Sequence, residues 1–318
     1  MGHRPESLGG LGGGRGSSNG YRILKIQKRK TIRLNMNSKL LSLGLVVPSF
    51  NQGQFLAQAL KSIFTQENVS LKVALCDAGS TDPTLSIADP YMDRFAFFRS
   101  HPDRGQASAI NEGISQLMGT SYVGWLNADD VLLRDGLGAM AQFLDDSSEH
   151  VAVFGKAYII DEIGNTIGEY PTKPFCRKAF AVACTICQPA SLIRRSVWDR
   201  VGGLDESIQT CIDYDLWWRI SKIGRIGYLE KFVACTRDHA QSKTRTLRKI
   251  VNDEAIAILL RHRGMVPRNW CMANILEGLV DCPKNTYFGR GWEAFKHYFQ
   301  INKWKALLPQ NWFFRNKE

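Results

Sequence analysis

An α/β fold with a doubly wound, mostly parallel, Rossmann-like sheet and a helical C-terminal extension is predicted by three features of the sequence. Between Leu41 and Leu133, short apolar runs alternate with segments of helical spacing, the order that packs helices over a parallel sheet. Several of these runs stop on acids, as buried strands do when they emerge at the carboxyl edge of an open sheet. After Val151 the alternation gives way to a hairpin pattern and then to helical sequence.

The elements follow in order. "LSLGLVVPSF" (Leu41 to Phe50) reads as a buried strand, and Phe55, Leu56, Ala59, Leu60 and Ile63 after it share one helical face. Leu71 to Cys76 repeats the strand and stops on Asp77. Asp82 before Pro83 has the form of an N-cap with proline at the first helical position. "FAFFRSHPDRGQASAINEGISQL" gives a third strand, a turn and a helix, and "YVGWLNADD" a fourth strand. "VAVFGKAYIIDEIGNTIGEY" predicts a hairpin turning at Gly164 and Asn165. "DYDLWWRISKIG" predicts a short helix with Leu216, Trp217 and Ile220 on one face and Gly224 as its C-cap. Beyond Thr244 helices are expected and no strand.

Composition bounds the organisation. The chain of 318 residues, 44% hydrophobic, suits one large domain with additions. Its net charge of +11 is uneven. Residues 1–39 carry nine Lys or Arg against one acid, and residues 240–318 carry fourteen against six, whereas residues 40–239 hold eighteen against twenty-three. Basic charge at the ends and acid in the middle argues against a nucleic-acid-binding module, whose binding face would need the cations. It favours cation chemistry in the middle and attraction of the ends to anionic surfaces, membrane included. We therefore expect a basic, Gly-rich, disordered leader over 1–39, a catalytic α/β domain over 40–243 and a basic, aromatic helical extension over 244–318.

The longest uncharged apolar stretch, Ala179 to Ile193, has 15 residues, short of the about 20 a membrane span needs. The first residues carry no apolar signal core, so a cytoplasmic protein is expected. The eight cysteines are then expected as thiols, and Cys184 with Cys187 lacks the second pair that a zinc site needs.

"YVGWLNADDVLL" raises the central question, because the strand ends on Asn127 and the adjacent carboxylates Asp129 and Asp130. Alone, these residues would do no more than cap the segment at "LRDGLGAMAQFL". Asp77, Asp103 and the Asp129/Asp130 pair, however, make three strand endings with acids at one sheet edge. Clustered carboxylates repel unless they share a cation, and oxygen ligands suit magnesium or manganese, which often bridges to substrate phosphates.

Six stretches, "VVPSFNQGQFLAQALKSIFTQ", "DAGSTD", "PDRGQASAINEG", "GWLNADD", "CQPASLIRRSVWDRVGGLDES" and "DYDLWWRIS", resemble in order and spacing the family 2 glycosyltransferases of GT-A fold, bacterial members especially. The resemblance covers roughly residues 42 to 243. It implies Pro48 beside the nucleotide base, Asp77 on the base, and Asp103 and Arg104 under the ribose and phosphates. It implies Asp129 as the metal-binding carboxylate of the D-x-D motif with Asn127 in the first position, and His239 near the metal or diphosphate. Asp213 would be the general base. The implied reaction is inverting, Mn2+- or Mg2+-dependent transfer of a sugar from a nucleotide diphosphate, a UDP-sugar first, to a polysaccharide or lipid-linked acceptor, with peripheral membrane contact through the aromatic C-terminal segment and a role in cell-envelope polysaccharide synthesis. The alternatives are a catalytically inactive scaffold of the same fold and a sugar nucleotidyltransferase. The second would want a basic phosphate loop after the first strand, where "SFNQGQF" has no cation. Ala78, Pro83, Asn127 and Ile212 depart from the family's usual residues.

Overall fold

The structure, a computed structural model, describes residues 40–273, so the expected leader and the aromatic part of the C-terminal extension lie outside the described residues. β1 (Leu41–Ser49) leads to α1 (Gly53–Phe64), β2 (Val69–Asp77) and the short α2 (Thr84–Ala88), which runs into a 3-10 segment, Asp89–Arg94. β3 (Phe97–Ser100), α3 (Gln106–Gln116), β4 (Tyr122–Trp125), the two-residue β5 (Val131–Leu132) and α4 (Gly136–Asp146) complete the alternating half. β6 (His150–Ile160), β7 (Thr166–Glu169), α5 (Arg177–Val182), β8 (Ser191–Arg194), α6 (Arg195–Val201), α7 (Ile212–Ile220), β9 (Arg225–Arg237), α8 (Lys243–Thr246) and α9 (Arg248–Arg263) follow.

The nine strands of the described residues form one sheet in the order β3-β2-β1-β4-β8-β6-β9-β5, with β7 paired to β6. β3, β2, β1 and β4 run parallel, β8 opposes β4 and β6, and β9 lies parallel to β6. The α/β class with a mostly parallel sheet is thus as predicted. β5, β8 and β9 went unforeseen: β9 mixes buried and exposed residues without clean alternation, β8 is four residues long, and two residues give β5 no period to read.

The predicted face of α1 is buried residue for residue, and Trp217 and Trp218 of α7 are both interior. Gly164 has φ +96° at the tip of the predicted β6–β7 hairpin. Asp82 is not the N-cap of α2: Pro83 holds that position and Thr84 is the first helical residue, although the Asp82 carboxylate still accepts the Thr84 N–H at 3.1 Å and also the Gly53 N–H that opens α1, at 2.8 Å. Gly224 does not cap α7: the helix stops at Ile220, and glycine stands at 224 because a Cβ there would run into Val151.

Helix and sheet approach most closely at Gly113 of α3, where a Cβ would lie 2.7 Å from Val46 Cγ1 and 3.0 Å from Cys76 Sγ. Val46 is a stiff, fully buried strand residue with nowhere to yield. Gly113→Ala is therefore expected to cost about 1–3 kcal/mol despite alanine's better helix propensity, and a urea melt checks it.

Candidate active site

The parallel register brings the strand ends to one edge. Ser49 pairs with Asp77, Asp77 with Ser100, and Trp125 with Val46, so the loops after β1, β2, β3 and β4 open side by side. Pro48 is buried one residue before the end of β1.

Asp77 is fully buried, and its carboxylate is occupied by its own surroundings. It accepts from the N–H groups of Gly79 and Ser80 at 3.0 and 2.9 Å and from the hydroxyls of Ser80 and Ser100 at 2.5 and 2.6 Å. The Asx turn that "DAGSTD" permits is therefore formed, with Gly79 at φ +82°. Arg99 donates to the Asp77 carbonyl and joins Asp103 and Glu112, each at 2.9 Å. Asp103 also accepts the Gly105 N–H at 2.8 Å, shaping the turn into α3. Arg104 instead faces solvent, its side chain 79% exposed, and pairs with Glu206 at 2.7 Å.

The acid pair after β4 is placed by β5. Val131 pairs with Cys235 and Leu132 with Ala234, which sets Asp129 and Asp130 against the end of β9. The Arg237 N–H donates to Asp130 Oδ1 at 3.0 Å, and His239 Nε2 lies 3.0 Å from Asp129 Oδ2. Arg237 ties the corner together: its guanidinium donates to the carbonyls of Asp129, Asp161 and Glu162 and to Gln58 Oε1 on α1. Because β5 separates Asp130 from α4, neither Asn127 nor Asp130 caps that helix, whose cap position is Asp135 in the left-handed region.

Asn127 is held in a chain of amides. It accepts from Gln106 Nε2 at 2.7 Å and donates to Asp130 at 3.2 Å and to Gln188 Oε1 at 3.4 Å, while Gln188 donates to the Trp125 carbonyl at 2.7 Å. Lys243 reaches across from α8 to Gln106 Oε1 at 2.8 Å. Lys243 is exposed at its surface, yet desolvation by the protein around it holds its ammonium below the ordinary lysine range against the opposing pull of Asp103, Asp129 and Glu254. Lys243, Gln106 and Arg237 are the site residues sequence reasoning missed; Lys243 sits four positions beyond His239 in "DHAQSK", the one local signal that could have found it.

Asp130 is buried away from water next to the charge of Asp129, and these two effects push its carboxyl up to about 8 although Arg237, Thr236 and Asn127 donate to it. The folded chain then keeps a proton that the unfolded chain, with the ordinary value of 3.8, gives up. Unfolding stability should fall as pH rises from about 4 to about 8. Urea midpoints at pH 5 and pH 8, with EDTA present, are expected to differ more in the wild type than in Asp130→Asn.

Asp213 is the second residue of α7 and half-buried. Burial raises its carboxyl to about 6, against the lowering effect of the N–H bonds from Tyr214 and its own backbone. Asp215, the other acid of the motif, is fully buried between Arg219 at 2.7 Å and His262 at 2.8 Å, so it is unavailable to a substrate. Cys187 lies within electrostatic reach of both Asp130 and Asp213. The seven described cysteines are free thiols.

Among the described residues no cluster of three or more His, Cys, Asp or Glu stands ready as a metal cage. The donor pair nevertheless fits a shared cation. Asp129 Oδ2 and His239 Nε2, now paired with each other at 3.0 Å, are donor types that a magnesium- or manganese-type ion accepts, and they would hold it. A magnesium-type ion leaves its other positions to water and substrate phosphates.

The described helices include none long and apolar enough to cross a membrane. Comparison with known proteins is consistent with this geometry. The chondroitin synthase of Escherichia coli is 27% identical over 191 residues, which is 59% of this chain but only 28% of that protein's length. The S. aureus TarS fragment 1–349 solved with UDP-GlcNAc superposes with a TM-score of 0.56 at 15% identity, covering 74% of this chain and 71% of that one. The mannosyltransferase PcManGT of Pyrobaculum calidifontis, solved with GDP-Man and Mn2+, superposes with a TM-score of 0.55 at 16% identity, covering 85% and 76%. Residues 45–202 match the family described as Glycosyl transferase family 2. Residues 45–202 thus form a glycosyl transferase family 2 domain, and its strands adopt the GT-A fold.

Proposed function

We propose that the protein transfers a sugar, with inversion, from a nucleotide diphosphate donor, a UDP-sugar, to a hydroxyl of a polysaccharide or lipid-linked acceptor. The observation that carries the reading is the pairing of Asp129 with His239 at the sheet edge, with Asp213 held at an elevated carboxyl pKa. Binding of UDP-GlcNAc and of GDP-Man with Mn2+ by structural neighbours supports a nucleotide-sugar donor.

In this reading Pro48 and the loop after it line the base, and Asp77 acts from beneath, holding residues 78–80 in the shape that meets the base. Asp103 and Arg104 flank the ribose and phosphates, and Asn127, from within its amide chain, holds Asp130 next to Asp129. Asp129 and His239 would hold Mn2+ or Mg2+, which when bound offsets the negative charge developing on the departing diphosphate. Asp213 takes the proton of the acceptor hydroxyl as it attacks the anomeric carbon, and a single displacement inverts that carbon. Lys243 supplies a second positive charge near the phosphates. Peripheral membrane contact through the basic, aromatic sequence of 290–315 would bring a lipid-linked acceptor within reach.

Calorimetric titration of UDP and GDP, each with and without Mn2+, tests the reading: tighter binding of one nucleotide with metal is expected. Absence of binding by either under both conditions would leave an inactive scaffold.

A further inference from the structure

We propose that α9 is a clamp on the helix that carries Asp213, and that Glu254 is a positioning residue for the transfer reaction, acting through the first turn of α7. The proposal rests on Asp213 being the base.

A helix start leaves N–H groups without intrahelical partners, and a side chain at the N-cap usually satisfies them. α7 begins after Cys211, whose side chain makes no cap bond. In the first turn the Tyr214 N–H goes to Asp213 itself, and the three residues that lead into the helix are held from elsewhere. Glu254 of α9 accepts from the N–H groups of Gln209, Thr210 and Cys211 at 2.6, 2.8 and 2.9 Å, and from the Thr210 hydroxyl at 2.5 Å. Burial alone would raise this carboxyl; the bonds from Thr210, Gln209 and Cys211 outweigh it and hold the group below the ordinary glutamate range, as expected of an anion that accepts several hydrogen bonds.

A second attachment lies just beyond the base. His262 of α9 meets Asp215 at 2.8 Å and stacks on Trp218 at 6.2 Å between ring centres. Asp213 therefore sits between the two points where α9 holds α7. Ala255, Ile258 and Leu259 of α9 belong to the same apolar core as Leu216, Trp217 and Trp218 of α7. A general base must stand within hydrogen-bond reach of the proton it takes, and a displacement of about 1 Å can cost about a hundredfold in rate. Four bonds to the three residues that precede the base-bearing turn set that reach.

The test uses the full chain, with nucleoside diphosphate release from UDP-GlcNAc, UDP-glucose or GDP-mannose onto oligosaccharide acceptors as the assay. Glu254→Ala is expected to lower kcat about 10- to 100-fold while donor KM and the affinity for the nucleotide stay within about twofold, and Glu254→Gln, which keeps one acceptor oxygen, should fall between it and the wild type. Asn269→Ala, which removes the bond from Asn269, beyond the end of α9, to the Val182 carbonyl of α5, should lower Tm without the loss in kcat. Should Glu254→Ala not fold, Thr210→Val removes one of the four bonds and should still lower kcat more than KM changes. A kcat loss no larger than that of Asn269→Ala overturns the clamp. If Asp213→Asn retains wild-type kcat, or the wild type turns over none of these donors, the reading of Asp213 falls and the proposal with it. An inactive Asp213→Asn beside an unimpaired Glu254→Ala removes the proposal alone.

Discussion

Asp213→Asn is expected to lower kcat by about 10²- to 10⁴-fold, the usual worth of a positioned general base, with nucleotide affinity unchanged. The substitution is nearly isosteric, and Asn keeps an oxygen for the Tyr214 N–H, which donates to Asp213 at 2.8 Å. The loss can then be assigned to the missing base. The pH profile gives an independent reading. With the carboxyl raised to about 6 by burial, the base is protonated and idle below that pH, so wild-type kcat should climb as pH rises through about 6 and level off above it. In Asp213→Asn the residual rate should lose that limb. A variant with a third or more of wild-type kcat, or an unchanged acid limb, would place the base elsewhere. Asp215 would be a poor second candidate, because Arg219 and His262 hold its carboxyl below the ordinary range despite its burial.

The second large effect is expected on binding. Asp129→Ala should abolish the dependence of nucleotide affinity on Mn2+, weakening UDP binding in its presence by roughly a hundredfold, about 2.8 kcal/mol at 1.4 kcal/mol per decade. The fold should survive, since Arg237 holds the corner through the backbone carbonyl of Asp129, which truncation leaves in place. His239→Ala should show a smaller version of the same loss. Equal Mn2+ dependence in wild type and Asp129→Ala would end the two-donor assignment.

The contrast between legible and illegible parts follows from the range of the interactions involved. The alternating half could be read because β1, β2 and β4 are buried apolar runs and α1 has a continuous buried face, patterns set by neighbours a few residues apart. Asp129 and His239 were singled out, but only a two-residue pairing of β5 with β9 brings them together, and such a pairing leaves no trace in local sequence. Asp77 illustrates the opposite difficulty. Its turn was legible, yet the hydroxyl of Ser100, on a neighbouring strand, could not be foreseen as its partner. Glu254 was invisible for the same reason, being an unremarkable acid in a helix until the fold carries it to residues 209–211.

The knot at Arg237 also fixes an order of events. Its bond to Gln58 closes a separation of 179 residues and its bond to the Asp129 carbonyl one of 108, so both must wait until β9 has been made and docked. Contacts so distant along the chain carry the loop-closure cost that makes folding slow. A nascent chain can assemble β1 to β4 and their helices while β9 is still unsynthesised, since domains emerge from the N-terminus. During that interval Asp129 and Asp130 stand beside each other without Arg237 or His239, and the corner that would receive the diphosphate is the last piece of the sheet to be born.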